Sequence, residues 1–415
     1  MGDEATNGFA VVRPPGHHAD SDSANGFCIF NNAAQAAEAA FNFGADRILI
    51  VDLDVHHGQG TQRIFYDDKR VLYFSIHRFE NAKFWPHLAE SNFDHIGEGA
   101  GVGYTANVPL NETGCGDADY LAILWNVLMP LATQFDPHFV IVSAGFDSCQ
   151  HDPVGGMSLS SDGYSHLIYQ LKSLAQGKML MILEGGYNHE VSAQTAQRCL
   201  RVLLGSSPFS LSLSQKAKES TIASCLSTIS VLRNFWPCFD FYKIKSTPRT
   251  SQWDIYNPRC FTSIPLEEER KNTENIDQEK LEKVQLKEAT HKPAQTLIYY
   301  DAENYLHADS SECDHPERPA RTESIIAKLR SSQILEKCVE KQNERLATAA
   351  ELELAHERPL IERVRRTKNM SYEELRQEES RLDSIFLTND TFDVAARAAG
   401  ASLQARIIFF ELIGR

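Results

Sequence analysis

Four apolar, strand-like stretches of the sequence are each followed by side chains that can move protons or bind a metal. These side chains are His17 and His18 after "FAVV", Asp52, Asp54 and His56 in and after "ILIVDLD", Asp147 after "FVIVSAGF", and Tyr187 after "LMILEGG". A capping aspartate or a solvated loop histidine could account for the polar residues at one strand end. It is a poor explanation for polar residues at four strand ends. The carboxyl ends of parallel strands meet at one edge of a sheet, where binding sites form. The pattern therefore predicts a single site.

The residue types at these strand ends predict metal-dependent hydrolysis. Asp52, Asp54 and His56 alternate along the chain, so in an extended segment they project to one side. Asp54 and His56 together with Asp147 offer two carboxylates and one imidazole, and three protein ligands with an open position are typical of a hydrolytic zinc site. Zinc there would activate a water and polarise a carbonyl. The adjacent histidines argue against calcium, which prefers oxygen donors.

Apolar strands that alternate with helical stretches indicate an α/β fold with a mostly parallel sheet and helices on both faces. "NNAAQAAEAAFNFG" predicts a helix capped by Asn31 or Asn32 and ended by Gly44. "DYLAILWNVLMPLATQF" predicts a helix kinked at Pro130. These helices would connect the strands that carry the site.

Length and composition limit the class of protein. At 415 residues the chain is long enough for two or more domains, and no apolar run reaches the length of a membrane span. The nine cysteines include no Cys-x-x-Cys pair, which favours reduced thiols and an intracellular location, cytoplasmic or nuclear. The net charge of −15 makes nucleic acid a poor partner and favours a cationic substrate such as a lysine-rich segment.

Several motifs in fixed order along residues 8–205 resemble the zinc-dependent histone deacetylases. They are "RPPGHHA", "GFCIFNN", "DLDVHHGQGTQ", "FSIHR", "SAGFDS" and "LEGGYN". Gln59 and "FWPHLAES" are similar to class II, and most similar to its tandem-domain, tubulin-type members. The resemblance implies an arginase-like α/β fold and the removal of acetyl groups from lysine in proteins such as histones or tubulin.

The resemblance also implies a role for each residue of the predicted site. The zinc ligands would be Asp54, His56 and Asp147; the general base would be His18; its charged neighbour would be His17, oriented by Asp52; and Tyr187 would donate a hydrogen bond to the acetyl carbonyl. The substrate channel would be lined by Phe27, Trp85, Val154, Gly185 and Gly186. A structural potassium ion would be held by the backbone of Asp52, Asp54, His56, Ser75 and Ile76.

Three other readings stay open at this point. Arginase-type enzymes bind two manganese ions, but the position of the additional carboxylate is Cys149. Acetylpolyamine deacetylases carry an acidic gatekeeper where this chain has Val154, so a neutral residue favours protein substrates. An inactive fragment or acetyl-lysine-binding module is the non-enzymatic alternative, because the deacetylase domain of residues 1–262 lacks the N-terminal elements of the family.

The rest of the chain resembles a charged linker followed by the N-terminal part of a second domain. Residues 263–294 are charged and poor in large apolar groups, which is typical of a linker or a solvated helix. Residues 295–415 resemble the N-terminal part of a second deacetylase domain and stop before any "PPGHH", so this part would be non-catalytic. Because homologous domains share one fold, it could dock on the first domain as a permuted complement, with "TLIYY" in the sheet and "LTNDTF" near the active-site rim.

Overall fold

The computed structural model of the chain describes residues 5–211, 216–240, 295–301, 304–309, 315–342 and 345–410, with the backbone alone over 405–410. These residues all belong to one compact unit. The predicted linker, 263–294, lies outside the described residues. We call residues 5–240 the N-terminal segment and residues 295–410 the C-terminal segment.

Eight parallel strands form one sheet. They are β1 (Ala5–Val11), β2 (Ile48–Asp52), β3 (Val71–Arg78), β4 (Thr105–Leu110), β5 (Phe139–Ala144), β6 (Met179–Leu183), β7 (Gln295–Tyr300) and β8 (Val339–Gln342). Their order across the sheet is β4-β3-β2-β5-β6-β1-β7-β8. Successive side chains of a strand face opposite sides of the sheet, and every residue of β2, β5 and β6 is buried. Both faces are therefore covered, and the predicted α/β architecture is confirmed.

Helices connect the strands and pack on the sheet. In the N-terminal segment they are α1 (Asn32–Phe41), α2 (Gln59–Ile64), α3 (Asp117–Ile123), α4 (Met129–Phe135), α5 (Ser161–Leu171), α6 (His189–Leu203) and α7 (Glu219–Leu232). In the C-terminal segment they are α8 (Ala320–Ser331), α9 (Ala349–Leu352), α10 (Arg358–Arg366), α11 (Tyr372–Glu379) and α12 (Thr391–Phe410). None of the described helices combines the length and the apolar character that crossing a bilayer requires.

Local sequence explains where the helices begin. The side chain of Asn31 accepts a hydrogen bond from the backbone N–H of Ala34 at 2.9 Å, so the predicted cap of α1 is confirmed. Ser160 caps α5 in the same way by accepting from the N–H of Gly163. The helix predicted around Pro130 is instead α3 and α4 joined by a π-helical turn over residues 124–128, and Pro130 lies in the first turn of α4. Proline cannot donate the hydrogen bond that would run back to the preceding turn, and the wider π-helical turn before it accommodates this loss.

The C-terminal segment shares the sheet and the core of the N-terminal segment. Strand β7, which contains "TLIYY", pairs in parallel with β1 in a register that matches Gly8 with Leu297 and Val11 with Tyr300. One buried apolar cluster includes Ile50 from β2, Leu297 from β7 and Ala398 from α12. Hydrophobic burial therefore holds the two segments together, in addition to the β1–β7 hydrogen bonds.

Candidate active site

The order of the strands explains how distant residues reach one site. In the sheet β2 lies beside β5, β5 beside β6, and β6 beside β1. Residues 145–147 follow β5, residues 184–187 follow β6, and residues 12–18 follow β1. The polar residues predicted from these strand ends therefore emerge side by side at the carboxyl edge of the sheet.

Asp54, His56 and Asp147 form a compact cluster of possible metal ligands, which we call the metal cluster. The Nδ1 atom of His56 lies 3.0 Å from Oδ1 of Asp54 and 3.3 Å from Oδ2 of Asp147. The Oδ2 atom of Asp147 is buried and accepts no hydrogen bond. The cluster therefore offers two carboxylates and one imidazole, and one carboxylate oxygen is buried without a hydrogen bond. These features fit a divalent metal such as zinc.

Gly185 lets the backbone approach the metal cluster closely. Its N–H donates to Oδ2 of Asp54 at 2.8 Å. A Cβ atom at this position would lie 2.2 Å from Oδ2 of Asp147, so a larger residue would collide with the ligands. Gly185, predicted as a residue of the substrate channel, thus contacts the carboxylates of the metal cluster. The next residue, Gly186, has φ of +114°, a conformation that favours glycine.

His17 is held beside the metal cluster as a charged imidazolium. Its Nδ1 atom lies 2.9 Å from Oδ2 of Asp52, and its Nε2 atom lies 3.7 Å from Oδ2 of Asp54. Burial lowers the pKa of His17, but the carboxylates of Asp52, Asp54 and Glu184 outweigh burial and raise the pKa to about 10. His17 therefore carries a positive charge at neutral pH.

His18 has the opposite protonation state although it is adjacent in sequence. Burial, followed by the positive charges of His17 and His56, lowers its pKa well below the usual value for histidine. Its Nδ1 atom lies 2.8 Å from Oε1 of Gln59, an oxygen that can only accept, so Nδ1 carries the proton. The Nε2 atom of neutral His18 is therefore left with a lone pair that can take a proton.

Tyr187 stays a phenol at neutral pH. Burial raises its pKa well above the usual value for tyrosine, although the guanidinium of Arg321 acts in the opposite direction. The Cζ atom of Arg321 lies 5.0 Å from the centre of the Tyr187 ring. The backbone N–H of Tyr187 donates to Oδ2 of Asp152 at 2.7 Å, which fixes the turn that carries the ring. A protonated phenol in a fixed position can donate a hydrogen bond.

The two aromatic side chains that the resemblance assigns to a substrate channel lie next to these groups. The ring of Phe27 lies 6.1 Å from that of Tyr187, and the ring of Trp85 lies 4.5 Å from that of His18. Phe27 has φ of +66°, which is strained for a residue with a side chain. Its N–H donates to the carbonyl of Ser384 at 2.8 Å. The C-terminal segment thus holds the strained turn in place.

The remaining predicted positions lie around this centre. The N–H of the half-buried Val154 donates to Oδ1 of Asp152 at 2.9 Å. Since the N–H of Tyr187 donates to the same carboxylate, Asp152 connects the predicted gatekeeper position to the turn that carries Tyr187. Asp52 is the register partner of Ser75, which precedes Ile76 in β3, and the backbones of the potassium positions on β2 and β3 therefore lie side by side. The thiol of Cys149 lies 3.6 Å from Oγ1 of Thr195 and does not belong to the metal cluster.

Two acidic residues that the sequence analysis missed orient the site. The four backbone N–H groups of Val154, Gly155, Tyr187 and Asn188 all donate to the carboxylate of Asp152. Oε2 of Glu184 accepts from the N–H groups of Gly16 and His17 at 2.7 and 3.1 Å. An acidic residue shortly before a glycine pair, as in "HDPVGG" and "LEGG", was the available signal.

A buried ionic network joins the two segments directly behind Tyr187. Arg13 and Glu317 are fully buried and form two hydrogen bonds of 2.7 and 2.6 Å. Arg321 lies 3.3 Å from Glu317 and donates to the carbonyls of Gly186, at 2.8 Å, and Glu184. We call Arg13, Glu317 and Arg321 the buried arginine–glutamate network. It anchors both ends of the turn that precedes Tyr187.

With this geometry established, comparison with known proteins identifies the family. The sequence pattern of the histone deacetylase domain matches residues 1–203 and 315–409. The chain therefore belongs to the histone deacetylase family, and both segments contribute to the match.

Similar proteins include histone deacetylases from animals and plants. Histone deacetylase 6 of Caenorhabditis elegans is 57% identical over 415 residues, which are 99% of this chain and 44% of that protein. The polyamine deacetylase HDAC10 of Danio rerio is 45% identical over 256 residues, which are 61% of this chain and 38% of that protein. The chain thus spans less than half the length of these relatives.

Solved structures of the same family superpose on part of the chain. The HDA15 HD domain is 44% identical, with a TM-score of 0.54, and the match covers 57% of this chain and 64% of that one. The histone deacetylase Clr3 is 38% identical, with a TM-score of 0.53, and the match covers 61% and 42% of the two chains. These likenesses support the deacetylase-type α/β fold.

Proposed function

We propose that this chain is a zinc-dependent deacetylase that hydrolyses the acetyl group of N6-acetyl-lysine in proteins. One observation carries the proposal: the metal cluster lies beside two adjacent histidines, of which His17 is charged and His18 is neutral. Asp54, His56 and Asp147 would hold the zinc ion. When bound, zinc would polarise the acetyl carbonyl and make a water more acidic.

In the proposed reaction His18 acts as the general base. Its Nε2 lone pair takes a proton as a water oxygen adds to the carbonyl carbon of the acetyl group. The bond between this carbon and the lysine nitrogen then breaks, and the amine leaves with the proton that His18 returns. The low pKa of His18 supports this role, because the ring is neutral before the reaction begins.

His17 and Tyr187 would stabilise the negative charge that forms on the carbonyl oxygen. His17 remains an imidazolium because Asp52 and Asp54 face its ring. Tyr187 remains a phenol because burial raises its pKa. Donors that are oriented before the reaction supply a large part of catalysis in this type of site.

We propose acetylated proteins, of the histone or tubulin type, as substrates. The neutral Val154 at the gatekeeper position supports an acetylated protein over an acetylpolyamine, and the net charge of −15 argues against nucleic acid. An intracellular location is proposed as well, because the seven cysteines in the described part of the chain are all unpaired.

A structural potassium ion is proposed at the backbone of Asp52, Asp54, His56, Ser75 and Ile76. The parallel register of Asp52 with Ser75 supports this site, since it places the backbone at the end of β2 beside the backbone in the middle of β3. Oxygen donors of this kind suit a hard cation.

We further propose that the two segments make one deacetylase domain, in which the C-terminal segment supplies strands and helices to the shared sheet and core. The pairing of β7 with β1 and the buried arginine–glutamate network support this arrangement. It argues against the inactive-fragment alternative, because Arg321 and Ser384 contact the turns that carry Tyr187 and Phe27.

The proposed function is tested with the purified full chain loaded with one equivalent of zinc. We expect it to deacetylate a fluorogenic acetyl-lysine peptide, and we expect Asp54→Asn to lose both the metal and the activity. Asp94→Asn, at an exposed aspartate outside the site, is the control. Wild-type metal content and turnover in Asp54→Asn would show that the ligand assignment is wrong.

A further inference from the structure

A second set of possible metal ligands lies behind the histidine pair. A ring nitrogen of His17, the Sγ atom of Cys28 and a carboxylate oxygen of Glu184 all lie within 4.8 Å of one another, and all three residues are buried. We call these residues the thiol cluster. Apart from His17 the proposed reaction assigns no chemistry to them.

The thiol cluster and the metal cluster each include a residue with a buried carboxylate oxygen that accepts no hydrogen bond. Oε2 of Glu184 accepts two backbone hydrogen bonds, but Oε1 is buried and accepts none. In the metal cluster, Oδ2 of Asp147 is likewise buried without a hydrogen bond. A buried carboxylate oxygen that lacks a partner costs free energy unless a proton or a cation satisfies it. Glu184 in the thiol cluster and Asp147 in the metal cluster thus each carry one such oxygen.

From this geometry we infer that the thiol cluster binds a second divalent ion of the zinc, cobalt or cadmium type, and that this ion inhibits the enzyme. Thiolate and imidazole donors select ions of this type over magnesium or calcium. The inhibition follows from the proposed function, because an ion on the ring of His17 removes this imidazolium from the reaction.

The charges around the two clusters are compatible with a second ion. Four buried carboxylates lie in this region, those of Asp52, Asp54, Asp147 and Glu184. Metal ligands must be deprotonated, so the entering ion displaces the protons that the ligating atoms of the thiol cluster carry, and the surrounding carboxylates balance its positive charge.

The sulfur atom gives the second site a spectroscopic signature. The metal cluster contains only oxygen and nitrogen donors, so cobalt bound there produces no thiolate-to-cobalt charge-transfer band. Burial keeps the pKa of Cys28 well above its usual value, and the free thiol is therefore protonated until an ion arrives. A band that appears only after the first equivalent of cobalt would report on the thiol cluster.

The experiment titrates the metal-free full chain with cobalt and follows metal content and near-ultraviolet absorption. We expect two ions per chain in the wild type, with the thiolate band accompanying the second. Cys28→Ser should bind one ion without the band, whereas Cys199→Ser, at another buried cysteine, should behave like the wild type. A missing second ion in the wild type, or a band that persists in Cys28→Ser, overturns the second site.

Two further measurements keep the outcome clear. If Cys28→Ser does not fold, Glu184→Gln tests the same site, because it keeps an oxygen for the two backbone N–H groups and removes the charge. With zinc in excess, half-inhibition of Cys28→Ser should need at least about tenfold more zinc, since losing even a group that only orients a ligand costs about 10–100-fold. A chain without deacetylase activity that still shows the band would reject the proposed function alone.

Discussion

The two segments of the molecule contribute different things to one site. The N-terminal segment carries the metal cluster, both histidines of the pair and Tyr187. The C-terminal segment contributes no residue to the described clusters of possible metal ligands, but it contacts the turns that hold these groups. Reactive side chains and the groups that fix their positions can therefore come from stretches that are far apart in sequence. The predictions below separate the two contributions.

The largest expected effect on stability comes from Glu317→Gln, which removes the only acidic partner in the buried arginine–glutamate network. Arg13 and Arg321 would lose the buried carboxylate that they share, and removing one partner of a buried ion pair costs about 3–5 kcal/mol. Urea unfolding of the full chain measures the change in the free energy of unfolding. Glu362→Gln, in an exposed pair with Arg365, is the matched control and should cost at most about 1 kcal/mol. Equal effects of the two variants would contradict the role of the network.

Tyr187→Phe should change catalysis and leave stability nearly unchanged. The variant keeps the ring and its contact with Phe27 but deletes the phenol donor. Losing one oxyanion donor lowers kcat by about 10²–10³, or about 2.7–4 kcal/mol of transition-state stabilisation. Steady-state kinetics of zinc-loaded protein with an acetyl-lysine peptide measures this loss. A wild-type kcat with bound zinc would remove Tyr187 from the mechanism.

Acid should weaken the attachment of the C-terminal segment through His356. Its Nδ1 lies 2.8 Å from the carbonyl of Asp20, and its Nε2 accepts from the N–H of Asn31 at 2.8 Å, so both ring nitrogens are occupied in the neutral form. Burial lowers the pKa of His356 from 6.5 to about 4. The stabilisation is complete above about pH 6.5 and is lost as the pH falls toward 4, at about 1.4 kcal/mol per pH unit and on the order of 3 kcal/mol in total.

Urea unfolding between pH 7 and 4 measures this pH dependence. His356→Gln should be less stable at pH 7 and should show a smaller loss of stability over the same range. His95→Gln, at a half-exposed histidine of the N-terminal segment, should follow the wild-type curve. If the free energy of unfolding changed with pH by the same amount in the wild type and in His356→Gln, this histidine would not contribute to the pH dependence of stability.

Val154→Glu should have the smallest effect, a change in substrate preference without loss of the fold. The half-buried side chain belongs to the loop that Asp152 ties to the Tyr187 turn, and a carboxylate there would attract the positive charges of an acetylpolyamine. We expect the ratio of kcat/KM for acetylspermidine to that for an acetyl-lysine peptide to rise several-fold. Val154→Gln is the neutral control. An unchanged ratio in the glutamate variant would rule out a gatekeeper role.

The sequence predicted what depends on local pattern. Apolar stretches such as "ILIVD" predicted buried parallel strands, and the polar residues that follow them predicted one site. The edge strands β4 and β8 were missed. Strand β4 contains Pro109, which an edge strand tolerates because one of its sides forms no hydrogen bonds with a neighbouring strand. Most residues of β8 are exposed. Neither strand has the continuous apolar pattern of the central strands.

Contacts between distant residues could not be predicted from single-sequence patterns. Arg13 and Glu317 are 304 positions apart, and Trp85 and Asp383, joined by a 3.2 Å hydrogen bond, are 298 apart. An arginine that follows a strand is compatible with a solvated loop until its buried partner is known. The same applies to Glu184, whose two hydrogen bonds depend on how β6 lies beside β1.

The most direct test of the account cuts the folded chain between its two segments. A protease site is inserted within residues 263–294, the full chain is cleaved and loaded with zinc, and the products are examined by size-exclusion chromatography and deacetylase assay. We predict that the pieces stay together with the activity of the uncut chain, that each piece is inactive once separated in urea and refolded alone, and that mixing restores activity. An isolated N-terminal piece that binds zinc and is as active as the whole chain would contradict the claim that the site is built from both segments.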